Sequence, residues 1–295
     1  MADERPDLAR QVDAAQSILA SPAAAEARRL ERALAETNRA VARAMARLDP
    51  GAGAGALDVA GGAAIFAGVG SPLTQGLAMG LAGPVAAADL DAMEAHLCPR
   101  GPTSTQLELC PFADPSLSAL VAERGYRVHE WQLVWVRAVP SEPLPPPPAE
   151  LAVRRVRPGE EDVYFRVVLA GFLESEEVPP EAIALLRPTA FAERFELYLT
   201  LLGDEPIGGA ALSWADGVAF VNGSGVRPAF RRRGAQGALI RARLDRAREL
   251  GCELASSTTL PGTASRRNME RHGFHVAYPK VLMLRDAPAA GAART

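Results

Sequence analysis

The chain has 295 residues, a formal net charge of −3 and 48% hydrophobic residues. That length and apolar content suit two domains with real cores, and the acidic balance argues against a general nucleic-acid binder. The three cysteines, Cys98, Cys110 and Cys252, form no Cys-x-x-Cys pair, so neither a zinc site nor a disulfide framework is expected; no metal is implied, and a reduced cytosol fits.

The amino terminus opens on charged residues and offers no apolar signal core. Residues 7–20 and 24–48 are rich in Ala and Arg and predict helices. Leu30, Leu34, Val41, Met45 and Leu48 form one stripe of the second, and Asp49-Pro50-Gly51 stops it. Residues 59–88 carry no charge, a length that could span a bilayer. Seven glycines and two prolines in that stretch instead predict short strands with glycine turns over 57–82, so no membrane insertion is expected. A helix follows over 86–97, a strand over 104–110, a helix over 115–123, and a strand pair or one long bent strand over 126–139.

Residues 140–149 hold six prolines in ten positions. Such a run forms neither helix nor central strand. It predicts a stiff polyproline spacer, reaching roughly 30 Å if extended, and a domain boundary. Beyond it come a strand over 151–157, a helix over 162–173, an acidic loop at Glu174, Glu176 and Glu177, and a helix over 180–187. Strands at 195–202 and 207–214 make a hairpin. An apolar run over 218–226, a helix from 234 to 250, a strand over 254–260, a short helix over 263–271 and a terminal strand or hairpin over 274–285 complete this half. Residues 287–295 predict a disordered tail.

The two halves repeat. Gly125-Tyr126-Arg127-Val128 matches Gly273-Phe274-His275-Val276, and Arg137 matches Arg285, both 148 residues apart. Two related domains are the expectation.

The most informative stretch is 217–251, which reads strand, basic turn, helix. Arg231-Arg232-Arg233-Gly234 opens the helix, whose face carries Leu239, Ile240, Leu244, Ala247 and Leu250. A helix N-terminus presents unpartnered N–H groups and partial positive charge, the makings of a diphosphate cradle. The spacing fits neither a nucleoside-triphosphate loop nor a dinucleotide fingerprint. It resembles the acyl-CoA pyrophosphate loop of the GNAT superfamily of N-acyltransferases, Arg/Gln-x-x-Gly-x-Gly/Ala, with Arg231 first, Gly234 fourth and Gln236 at the sixth place, where a small residue is usual.

The resemblance implies a mixed α/β fold, a mostly antiparallel sheet flanked by helices, in two tandem GNAT-like domains. Residues 1–139 would be a degenerate copy with a helical start, and 150–286 the acetyl-CoA-binding domain. It implies that Val226 offers its N–H to the thioester oxygen. Arg231, Arg232, Arg233, Gly234, Ala235, Gln236, Gly237 and Ala238 would hold the pyrophosphate, and Ser265 and Asn268 would flank the CoA arm. The implied activity is acetyl transfer from acetyl-CoA to a primary amine of a small molecule or peptide; a non-catalytic CoA-binding module is the alternative. Many relatives carry a thiolate-protonating tyrosine four residues before the closing glycine, where this chain has Met269. Tyr278 is the nearest substitute in sequence, or else an edge-strand aromatic. Glu177, with Glu174 and Glu176, falls in the loop that shapes the acceptor site and is the candidate general base. In the first half Gly80 to Asp89 replaces the cradle without Arg-x-x-Gly, and Asp89 and Asp91 would repel a diphosphate. The expected partner is a small amine, with no nucleic acid and no membrane, in the cytoplasm; a homodimer is compatible.

Overall fold

The computed structural model describes residues 21–98 and 104–286; the helix expected over 7–20 and the tail over 287–295 lie outside them. The first described helix, α1 (Pro22–Leu48), starts where Ser21 accepts from the Ala24 N–H and Pro22 supplies a fixed φ. Strands β1 (Gly55–Val59), β2 (Gly62–Phe66) and β3 (Gln75–Leu77) follow, then α2 (Ala87–Leu97), β4 (Thr105–Leu109), α3 (Pro115–Glu123) and β5 (Arg127–Ala138). After the proline-rich segment come β6 (Leu151–Arg155), α4 (Glu161–Leu173), α5 (Pro180–Leu186), β7 (Phe195–Leu202), β8 (Glu205–Ala215), β9 (Val218–Phe220) and β10 (Gly225–Val226). The chain continues with α6 (Ala235–Glu249), β11 (Leu254–Thr259), α7 (Ala264–Arg271) and β12 (His275–Arg285).

All twelve strands join one mostly antiparallel sheet in the order β1-β2-β3-β4-β12-β5-β11-β9-β8-β7-β6, with β10 also on β8. The middle of that order departs from the order in sequence. The repeat makes β5 and β12 equivalent strands, yet each lies in the other's half. β5 pairs with β11, and β12 pairs with β4. The two also pair antiparallel with each other, from His275 opposite Val136 to Leu284 opposite Arg127. Shifting one end of that ladder by the 148-residue repeat gives the other end, as a two-fold axis between them requires. The region read as a strand pair, 126–139, is one strand, and so is 275–285, bent by two irregularities.

Helices cover both faces. Along β5, Val134 and Val136 join the core under α1, while Trp135 points the other way into the core under α6 and α7. α2 and α3 cover the first half on the face that α6 and α7 share, with Leu90, Met93 and Leu117 buried beneath them. α4 and α5 pack on β7, over Leu197, Leu199 and Leu201.

The proline-rich segment is not a free spacer. The Leu144 N–H donates to Asp245 on α6 at 2.9 Å, and Leu144 packs against the α6 core. Its boundary in sequence does not divide the sheet, because β5 lies on its far side in space.

Lys280, the only lysine in the chain, is buried on β12 between Glu31 of α1 and Glu108 of β4. Burial alone would lower its pKa, but the two carboxylates outweigh it and raise the value above 10.5. Burial likewise raises the Glu108 pKa, against the pull of Lys280. Tyr278 donates to Glu31 at 2.8 Å in the same cluster. One helix and two strands from both halves of the sequence thus meet on one ammonium.

Lys280→Met should therefore cost about 3–5 kcal/mol, by stranding two buried carboxylates. Replacing Glu31 and Glu108 by Gln in the same protein should recover much of that loss in urea denaturation. A single variant as stable as the parent would show the cluster to be dispensable. The Lys280 share is present in full below pH 10.5 and fades as pH rises through its raised folded value.

Candidate functional site

The apolar run over 218–226 does not form one strand. β9 lies parallel to β11, and the last bond between them runs from the Val221 N–H to the Ser256 carbonyl at 2.9 Å. Asn222-Gly223-Ser224 then bulges, with Gly223 at φ 61°, and β10 resumes on β8 alone. The two parallel strands part here. The Asn222 side-chain oxygen fills the fork, accepting from Ser257 Oγ at 3.1 Å and the Thr258 N–H at 3.3 Å.

Arg243 holds the bulge from α6. It is fully buried and donates to the carbonyls of Leu239, Ala211 and Asn222 at 2.9–3.1 Å. Burial lowers its pKa to about 10, and its Nη2 has no partner among the described residues. On the other face Tyr164 of α4 reaches the bulge, its hydroxyl 3.4 Å from the Gly223 carbonyl. Burial raises its pKa, so the hydroxyl stays protonated.

β10 is set so that one amide is free to work. The Arg227 N–H bonds to the Ile207 carbonyl at 2.9 Å, so by antiparallel alternation the Val226 N–H points away from β8, into the opened side. α4 lies directly on this strand. A Cβ at Gly225 would fall 2.2 Å from the Val168 carbonyl oxygen, and one at Gly171 would fall 2.6 Å from the Val226 nitrogen. Only glycine permits that approach.

Beyond β10 the chain turns through Arg231 and Arg232, with Arg232 at φ 64°, and Gly234 at φ 84° begins α6. The Ala238 N–H is bonded to the Gly234 carbonyl at 3.0 Å. The amides of Ala235, Gln236 and Gly237 precede it and have no intrahelical acceptor by position. Ala235 and Ala238 bury their methyls, so they can contribute backbone only. Arg232 and Arg233 are exposed and make no ion pair among the described residues.

Arg231 is occupied. Its guanidinium donates to Glu174 at 3.0 Å and to the Gly171 carbonyl at 2.9 Å. Arg227 bonds Glu176 and Glu205 at 2.9 and 2.8 Å. The acidic loop is thereby pinned beside the cradle. Glu177 is exposed, and only its N–H is engaged, by Ser175. On α7, Ser265 is exposed and Asn268 half-buried, its carbonyl 2.8 Å from His272 Nδ1. His272 Nε2 would stand 3.3 Å from a Cβ at Gly237, so the first turn of α6 leans on the end of α7.

Tyr278 and Met269 both lie away from the fork. Tyr278 does not reach the fork: it sits on the α1 face, 4% exposed, bonded to Glu31. Its pKa is pushed far up by burial and then by the Glu31 charge. Met269 does not face an open cleft either; it is 3% exposed in the core shared with Leu239, Trp135 and Phe274. Period-two alternation in β12 decides the first, and the inward face of a two-turn helix decides the second. Sequence reasoning passed over Asn222, Arg243 and Tyr164. Two signals were present: glycines inside an apolar run mark a bulge, and Arg243 stands four residues after Leu239 on the apolar stripe.

In the first half the helix start that corresponds to the cradle is acidic. At the start of α2, Asp89 accepts from the Ala86 N–H and Ser116 from the Val85 N–H, both at 2.8 Å. These bonds lie just before the helix, and Asp89 puts a carboxylate in its first turn, where it would repel an anion. Among the described residues there is no group of three or more His, Cys, Asp or Glu able to hold a metal, and no helix long and apolar enough to cross a membrane.

Residues 165–274 match the Acetyltransferase (GNAT) family. No curated protein matches the chain. Among solved structures, a GCN5-related N-acetyltransferase from Kribbella flavida aligns at 19% identity, over 86% of this chain and 97% of its own, with a TM-score of 0.57. A GCN5-related N-acetyltransferase from Sphaerobacter thermophilus aligns at 19% identity over 68% of this chain and 67% of its own, with a TM-score of 0.50. A tandem GNAT protein from the clavulanic acid biosynthesis pathway aligns at 15% identity over 68% of each chain, again at 0.50. At these identities the likeness is one of fold.

CoA affinity tests the cradle on the full chain. Gly234→Asp adds a side chain and a negative charge at the free amides and should weaken binding tenfold or more, about 1.4 kcal/mol. Arg231→Ala should cost less, because that guanidinium is already shared with Glu174 and Gly171. Calorimetry showing unchanged affinity in the aspartate variant would place the diphosphate elsewhere.

Proposed function

Taking as premise a chain that contains an acetyltransferase domain of the GNAT family over residues 165–274, we propose that the protein transfers an acetyl group from acetyl-CoA to a primary amine of a small molecule or peptide. The observation that carries this reading is the fork between β9–β10 and β11, with the Val226 N–H facing into it and the free amides of α6 at its end. A donor with its diphosphate on Ala235 to Gly237 and the arm in the fork would bring its thioester oxygen to Val226. Arg232 and Arg233 would add charge at the diphosphate. Ser265 and Asn268 would flank the arm from α7.

An alkyl ammonium with a pKa near 10 cannot attack a carbonyl, so a base must take its proton. Glu177 is our candidate, acting through water, because Glu174 and Glu176 are already held by arginines. The amine nitrogen bonds to the thioester carbon, and the Val226 N–H stabilises the oxyanion. The C–S bond then breaks, the nitrogen gives up its second proton to solvent, and the thiolate takes a proton. Of the four tyrosines, Tyr164 is the one whose hydroxyl meets the bulge, and we assign it that step, with solvent restoring its proton. This work fits the cytoplasm, where a CoA thioester is at hand, and a homodimer is compatible with it.

Met269 and Tyr278, both turned away from the fork, favour a second reading: a module that holds CoA without turnover. Release of free thiol from acetyl-CoA with a panel of primary amines separates the two. Turnover with at least one amine is expected; tight CoA binding with no thiol release across a broad panel would favour the second. Tyr164→Phe should then lower kcat about 10²-fold with little change in KM, in the range of a lost general acid, while Tyr278→Phe should leave the pH profile alone. Equal rates in Tyr164→Phe and the parent would leave solvent as the donor.

A further inference from the structure

A second cleft, of about 570 Å³, opens away from the fork. It lies between α1, the β1–β2 turn, the end of β3 and the β8–β9 turn, so both halves of the sequence wall it. Its charged lining is Arg32, Arg39 and Arg194 against Glu36, Asp58 and Asp216. Arg39 is paired in charge, its Nε 2.9 Å from Glu36 and its Nη2 on Asp58. Arg32 and Arg194 have no partner among the described residues, and neither does the Asp216 carboxylate. Two free cations and one free anion thus face one space.

Left-handed residues also border this cleft. Six non-glycine residues among those described adopt a left-handed φ. Glu174 and Arg232 flank the cradle. The other four, Ala60, Ala78, Arg194 and Asp216, all line this cleft, at φ from 49° to 59°. Ala60 and Asp216 open two-residue hairpin turns with Gly61 and Gly217, where a positive φ is the turn's own requirement, while Ala78 and Arg194 adopt it outside such turns.

We propose that this cleft binds a free acidic amino acid. The two unpaired guanidinium groups of Arg32 and Arg194 would take its two carboxylates, and Asp216 its ammonium. A simple anion would leave Asp216 unpaired beside it, and a simple amine would leave both arginines so. The site is separate from acetyl transfer at the fork and does not depend on it.

L-Glutamate is the probe, titrated by calorimetry into the full chain, with glutarate as the analogue lacking the ammonium. Binding of glutamate is expected, weakened about tenfold or more in Arg32→Gln/Arg194→Gln. Asp216→Asn should weaken glutamate and not glutarate. Gly234→Asp, which disables the diphosphate cradle, should leave glutamate binding unchanged. Absence of binding at millimolar glutamate would overturn the proposal, as would binding indifferent to the double arginine variant. Glutarate binding as tightly as glutamate would overturn the amino-acid assignment.

Discussion

The antiparallel pairing of β5 with β12 is the constraint on which the rest of the structure depends. Each of these strands has hydrogen-bonding groups on both sides that must be satisfied. Each finds one neighbour in its counterpart and the other in the opposite half. Neither half can be removed without exposing two strand edges in the middle of a sheet, which is costly and invites aggregation. The consequence reaches the candidate site. Trp135 of β5 fills the core under α6 and α7 and donates to Thr259 of β11 at 2.9 Å. Arg137 of β5 bonds the His272 carbonyl at the end of α7 and lies over the Phe274 ring. The first half therefore builds part of the floor beneath the cradle.

That arrangement gives a physical reason for the chain to keep a half with no cradle of its own. The first turn of α2 carries the Asp89 carboxylate in place of a glycine and arginines, while β4, β5 and α1 supply strand edges, core and the carboxylates around Lys280. The proline-rich segment contributes as well. Leu144 packs on the α6 core, and Pro148 comes within 3.4 Å of the Cβ position of Gly234. A larger residue at 234 would meet both strain at φ 84° and this proline.

The sequence was most legible where a local signal decides the outcome. Ser21 and Pro22 open α1, Gly251 at φ 71° ends α6, and Gly125 and Gly273 turn the chain into β5 and β12. The start of α6 was legible for the same reason, since Gly234 after three arginines is a local pattern. The strand exchange was not, because a repeat of 148 residues shows that β5 and β12 are equivalent and is silent on which neighbour each takes. The burial of Tyr278 and Met269 was hidden for a related reason: it depends on which face of β12 meets α1 and which face of α7 meets α6, facts of packing. The fork was half visible, with Gly223 and Gly225 marking a break in an apolar run whose partner strand could not be named.

The two sequence halves form one folding unit around the exchanged strands. A protease site placed among the exposed residues 141–143 cuts the folded chain between them. The nicked halves should co-elute without denaturant, unfold in a single transition followed both by the tryptophans and by backbone signal, and retain CoA affinity. Halves that separate on nicking, with residues 150–286 alone folded and binding CoA, would contradict it.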